Sequence, residues 1–152
     1  MRCYILIGAL IFGGQPAAAQ EALKPLQEVI GAEDSAPNTL YVLRRCSALG
    51  LELFSRARSR PQNESSGELQ KVGFSLYSNF ATVATEYLVS VRAAGELTGS
   101  TDVQKAQDYN LNIIVEISQL YSDDMDHHFN RTGNAFSDQI LQDLRICNSL
   151  GE

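Results

Sequence analysis

The chain has 152 residues, of which 44% are hydrophobic and 20% charged, and its formal net charge is −6. That length suits one domain, and the composition excludes a disordered, collagen-like or polytopic membrane protein. The acidic balance also excludes general nucleic-acid binding, which needs a basic footprint.

Residues 1–19 read as a signal peptide. Arg2 is the positive start, residues 4–12 form an apolar run, and Ala17-Ala18-Ala19 supplies the small-residue cleavage pattern. The run is about half of the roughly 20 residues a membrane-spanning helix needs, so an uncleaved anchor is disfavoured. Cys3 precedes the run and is not a lipoprotein cysteine. Cleavage after Ala19 removes Arg2 and takes the charge from −6 to −7. No second apolar run of spanning length follows. The expectation is a secreted or periplasmic protein, with residues 20–152 as a single helical domain and no stable membrane insertion.

After a polar lead-in containing Pro25, the first strong segment is predicted over residues 38–59. Ser35 and Pro37 are its start signals and Arg60-Pro61 its stop, with Leu40, Leu43, Cys46, Ser47, Leu53 and Phe54 along one face. A second helix is predicted over 67–97, with Ser65 and Glu68 as a capping box. Its expected core face is Leu69, Val72, Leu76, Phe80, Val83, Tyr87 and Val91. Ser100 or Thr101 is expected to cap a third helix, to about residue 129, on Val103, Ala106, Ile113, Ile117 and Leu120. Thr132-Gly133-Asn134 reads as a turn. A final helix over 137–150 places Ile140, Leu141, Leu144 and Cys147 inward. No segment alternates with period two, so the predicted fold is all-α, a bundle of four helices.

Removal of the signal leaves two cysteines, Cys46 and Cys147. An even count in an oxidising compartment reads as one disulfide, here tying the first predicted helix to the last. For a closed loop of that size the chain-entropy model gives about 4.7 kcal/mol.

The closing segment, Arg131-Thr132-Gly133-Asn134-Ala135-Phe136 followed by Asp143-Leu144-Arg145-Ile146-Cys147, resembles small bacterial secreted helical proteins that have no assigned activity. Those proteins share an early helical cysteine, a Thr-Gly-Asn turn, and a late cysteine after an Asp-Leu pair. The resemblance covers the C-terminal segment and the region round Cys46. It implies export, helices and a disulfide, and it brings no activity with it.

The densest candidate site is Asp123-Asp124-Met125-Asp126-His127-His128, which holds both histidines of the chain. On a helix, Asp123 faces His127 and Asp124 faces His128, and imidazole with carboxylate suits a divalent transition metal. One face supplies two ligands where a closed site needs about four, so histidines near a helix C-terminus are the plainer reading. Arg44, Arg45, Arg56, Arg58 and Arg60 offer either a basic binding surface or cross-helix ion pairs. Tyr77, Tyr87, Tyr109 and Tyr121 could line a pocket, or sit at the core boundary with solvated hydroxyls. No nucleophile elbow, phosphate loop, dinucleotide glycine pattern or HExxH motif occurs. The expected function is therefore non-catalytic, without a cofactor, through contact with an unknown protein partner in the cell envelope. The alternative is a small-ligand or metal-binding periplasmic protein using Asp123, Asp124, His127 and His128.

Overall fold

The computed structural model describes residues 23–151 except Glu33 and Gln62, so the expected signal segment lies outside the described residues. Among the described residues five helices follow one another: α1 (Leu26–Ile30), α2 (Ala36–Arg58), α3 (Glu64–Ala93), α4 (Val103–Thr132) and α5 (Asp138–Leu150). The described residues contain no strand. The four long helices are those the apolar periodicity implies. The short α1 has no such signature, because only Leu26 of its residues is buried.

Local polar groups set the helix ends. Ser35 accepts from the Asn38 N–H at 3.4 Å with Pro37 in the first turn, as expected for α2. The start of α3 differs from expectation. The capping box is Asn63 with Ser66, not Ser65 with Glu68: the Ser66 N–H donates to Asn63 Oδ1 at 2.8 Å, and the Asn63 N–H donates to Ser66 Oγ at 2.9 Å. Asp102, not Ser100 or Thr101, caps α4 by accepting from the Lys105 N–H at 2.9 Å. Its carboxylate satisfies the orphan N–H and also opposes the helix dipole, which a hydroxyl cannot do. Gly133 closes α4 at φ +76°, donating to the Phe129 carbonyl at 2.8 Å. Left-handed backbone there favours glycine.

Helix α2 packs against all four other helices. Residues 45–50 are buried without a break, which places that stretch inside the molecule on every side. Toward its N-terminus, Ala36 and Leu40 meet Leu88 and Val91 of α3 and Ala106 of α4. Further along, Val42 and Cys46 meet Leu26, Leu76, Phe80 and Cys147. Its later turns, with Ala48, Leu49 and Leu53, pack on Ile114, Ile117, Tyr121 and Met125 of α4 and on Ile140 of α5. The Cys46–Cys147 disulfide joins α2 to α5 across 101 positions, with Cα atoms 5.4 Å apart and both cysteines fully buried.

The inward stripe of α3 is Gly73, Leu76, Phe80, Ala84, Leu88 and Val91. Val72 and Val83, expected in the core, are 43% and 46% exposed, and Val103 of α4 is 62% exposed. The smallest residues take the inner positions because the α2 backbone comes that close. A Cβ on Gly50 would lie 2.4 Å from the Tyr77 nitrogen and 2.8 Å from the Gly73 carbonyl oxygen. One on Gly73 would lie 2.5 Å from the Phe54 nitrogen. Ser47 Oγ donates to the Tyr77 carbonyl at 3.0 Å beside the same crossing.

Alanine normally stabilises an exposed helix position over glycine by up to about 1 kcal/mol. At this crossing backbone would have to move, and overpacking of that kind costs about 1–3 kcal/mol. Gly50→Ala and Gly73→Ala should each lower the urea-unfolding free energy by about 2 kcal/mol. A gain in stability from either would show that the helices do not touch there.

Candidate functional site

The most concentrated polar chemistry lies beside the disulfide, in the interior. Arg45, next to Cys46 on α2, is fully buried. Its Nε donates to the Tyr121 hydroxyl at 2.8 Å. Its Nη1 donates to the Lys24 carbonyl at 2.7 Å and the Tyr41 hydroxyl at 2.9 Å, and its Nη2 forms an ion pair with Asp143 Oδ2. Tyr121 donates in turn to Asp143 Oδ2 at 2.6 Å, and Asp143 Oδ1 accepts from the Leu26 N–H at 3.4 Å. Gln139 adds a bond to the Leu23 carbonyl at 2.8 Å. The guanidinium also lies over the Tyr121 and Tyr41 rings, 4.9 and 5.5 Å from their centres.

A buried ion pair repays its desolvation only when the remaining donors and acceptors are satisfied. Here they are: one guanidinium and one carboxylate collect groups from the segment before α1 and from α1, α2, α4 and α5. Burial opposes the Arg45 charge, but Tyr121, Asp143 and Tyr41 outweigh it and hold its pKa above the ordinary value. Burial is the main cause that drives the Tyr121 phenol well above its ordinary pKa. Arg45, Tyr121 and Asp143 are each at most 1% exposed, so no substrate reaches this cluster.

The arginines of α2 and its end therefore do not form one basic face. Arg45 points into the core. Arg56 binds Glu52 at 2.5 Å, Asp126 at 2.8 Å and the Ser122 carbonyl at 2.9 Å, tying α2 to α4. Arg58 lies over the Phe54 ring. The tyrosines do not converge either. Tyr121 is in the core with its hydroxyl fully engaged, whereas Tyr109 is 48% exposed. Tyr77 and Tyr87 border different parts of the core.

The Asp123–His128 stretch lies in the last turns of α4. Asp124 accepts from Ser137 Oγ at 3.0 Å, which fixes the α4–α5 turn. Asp123 accepts from Gln119 at 3.0 Å, and Asp126 is held by Arg56. His127 is exposed and His128 half-buried. Among the described residues no three His, Cys, Asp or Glu side chains come together in a way that could hold a metal ion.

Sequence reasoning missed Arg45 and Asp143 as partners. A signal existed for the aspartate: it lies three residues after Ile140 and four before Cys147, on the apolar stripe of α5. A carboxylate on such a stripe needs a buried cation.

One surface depression is framed by apolar groups. A groove of about 460 Å³ runs between α1, α2, α3 and the end of α5, lined by Val29, Leu43, Phe80, Ile30, Val83 and Leu150. The last three are 48%, 46% and 52% exposed, and Asp34 is the one charged residue among the described residues of the lining. No helix among the described residues is long and apolar enough to cross a membrane. Comparison with protein-family models, with curated proteins and with solved structures finds no match to this chain.

Removing one member of a buried ion pair typically costs 3–5 kcal/mol, roughly, because the other charge stays buried. Arg45→Met and Asp143→Leu should each show a loss of that size in urea unfolding. The double variant should lose less than the sum of the two, whereas strict additivity would mean the pair does not interact.

The raised phenol also fixes a pH dependence. The fold prefers the protonated phenol, so the Tyr121 contribution is whole below the unfolded pKa, near 10. It is lost as pH climbs from there toward the raised folded value. Above about pH 10, wild-type stability should fall more steeply than that of Tyr121→Phe. Parallel slopes in a urea series across that range would contradict the assignment.

Proposed function

We propose that this is an exported, non-catalytic protein of the cell envelope that acts by binding another protein. The observation that carries the reading is the groove between α1 and α3, whose rim exposes Ile30, Val83 and Leu150 while Arg45, Tyr121 and Asp143 of the core are spent on one another. Contiguous apolar surface of this kind marks an interaction site more often than scattered single residues do. The occupant that fits is an apolar helical or extended segment carrying a basic residue. Asp34 puts a negative charge at the groove, and the chain as a whole is acidic. Export is supported by the signal-like start, with its short positive end, apolar run and alanine cleavage pattern, and by a buried disulfide of the sort that persists in oxidising compartments. The sealed Arg45–Tyr121–Asp143 cluster supports a binding role over catalysis, since none of its groups meets solvent.

Affinity capture from envelope extracts of the exporting cell, run with wild type and two surface variants, tests this. Wild type and Val115→Asp, altered at a more exposed site on α4 away from the groove, should retain the same partner, and Val83→Asp should lose it. Recovery of no partner, or equal retention by both variants, would overturn the reading.

A further inference from the structure

Arg44 of α2 and Arg92 of α3 share one aromatic ring: their guanidinium carbons lie 5.4 and 5.1 Å from the centre of Tyr109 on α4. Both are anchored by neutral groups. Arg44 Nε donates to Asn110 Oδ1 at 2.7 Å, and Asn110, only 1% exposed, is held by Thr85. Arg92 Nη1 donates to the Ser100 carbonyl at 3.0 Å. Gly99, at φ +125°, lies against the same guanidinium, so closely that a Cβ there would come within 2.7 Å of it.

Neither arginine forms an ion pair with a described residue. Arg44 Nη2 and Arg92 Nε are buried and have no acceptor among the described residues. Buried donors in that state are costly, and a native structure that keeps two of them side by side needs a reason. Burial holds the Arg44 pKa below its ordinary value; Tyr109 opposes the shift and the Arg92 charge adds to it. Two cations are thus fixed near each other, with donor capacity left over and no ion pair to a carboxylate among the described residues.

We propose that Arg44 and Arg92 form a binding site for a phosphate-type oxyanion, with Tyr109 as a movable cover. A tetrahedral dianion matches two guanidinium charges and offers enough oxygens for the unspent donors of both. The ring that now lies against them is 48% exposed, so it can swing into solvent and free the guanidinium surface it covers, while Gly99 stays packed on Arg92. The chain's net charge of −6 gives no general attraction for anions, so binding is local to this pair. The site is separate from the apolar groove and does not depend on it.

The test is an NMR titration of the arginine Nε–H signals of the intact protein with inorganic phosphate and, in a second arm, glycerol phosphate. Ionic strength is held constant with chloride. The Arg44 and Arg92 signals should shift saturably in at least one arm while the Arg45 signal stays still. The two arms separate free phosphate from a phosphomonoester as the source. Arg92→Gln should weaken binding by roughly tenfold, and Arg92→Lys, which keeps the charge but loses the fork, should weaken it less. The lysine variant decides the matter if the glutamine one fails to fold. Absence of a saturable shift in both arms, or affinity unchanged in the folded variant, would overturn the proposal.

Discussion

The guanidinium of Arg45 lies where water cannot hydrate it, so the elements packed round it have to supply acceptors. α5 supplies Asp143, α4 supplies the Tyr121 hydroxyl, and the segment before α1 supplies the Lys24 carbonyl. Each contact is worth little as an isolated surface interaction, but inside the protein each is obligatory, because an unpaired charge there costs several kcal/mol. The charge thereby selects one arrangement of the smaller elements. α1 presents little buried apolar surface of its own beyond Leu26, and its N–H at Leu26 is held by the same carboxylate that neutralises Arg45.

Different forces hold the long helices. At the α2–α3 crossing, two glycines let the backbones approach until dispersion contacts are dense, with Ser47 bonded across the join. The α2–α4 contact is a conventional apolar seam of Leu49 and Leu53 on Ile114, Ile117 and Met125, reinforced at its far end by Arg56. α5 is short, and the disulfide secures it covalently one residue from the arginine that secures it electrostatically. Arg45 and Cys46 are thus adjacent anchors for one helix.

The four long helices and the cysteine pairing were legible in the sequence because both rest on local pattern: apolar residues at three- and four-residue spacing, and two cysteines on such stripes. The exact inner face of α3 was not. Hydrophobicity favours Val72 and Val83, but the inner face holds Gly73 and Ala84; at Gly73 the reason is steric closeness to α2, a property of the partner helix. The buried ion pair was hidden for a related reason. Arg45 reads as one of five basic residues in a solvated run, and its partner lies 98 positions away with no shared local signature. Asp143 on the stripe of α5 was the clue available. The Asp123–His128 cluster rests on residue types and four-residue spacing along one helix; in the fold Asp124 serves the turn into α5, Asp126 the tie to α2, and Asp123 a bond to Gln119 within α4.

Hydrogen exchange followed residue by residue in Arg45→Met tests most directly whether Arg45 organises the smaller elements. With the disulfide intact, amides of α1 and α5 should lose protection relative to wild type by far more than those at the α2–α3 crossing, which owes nothing to this charge. A uniform loss of protection across all five helices, or none in α1 and α5, would contradict that role.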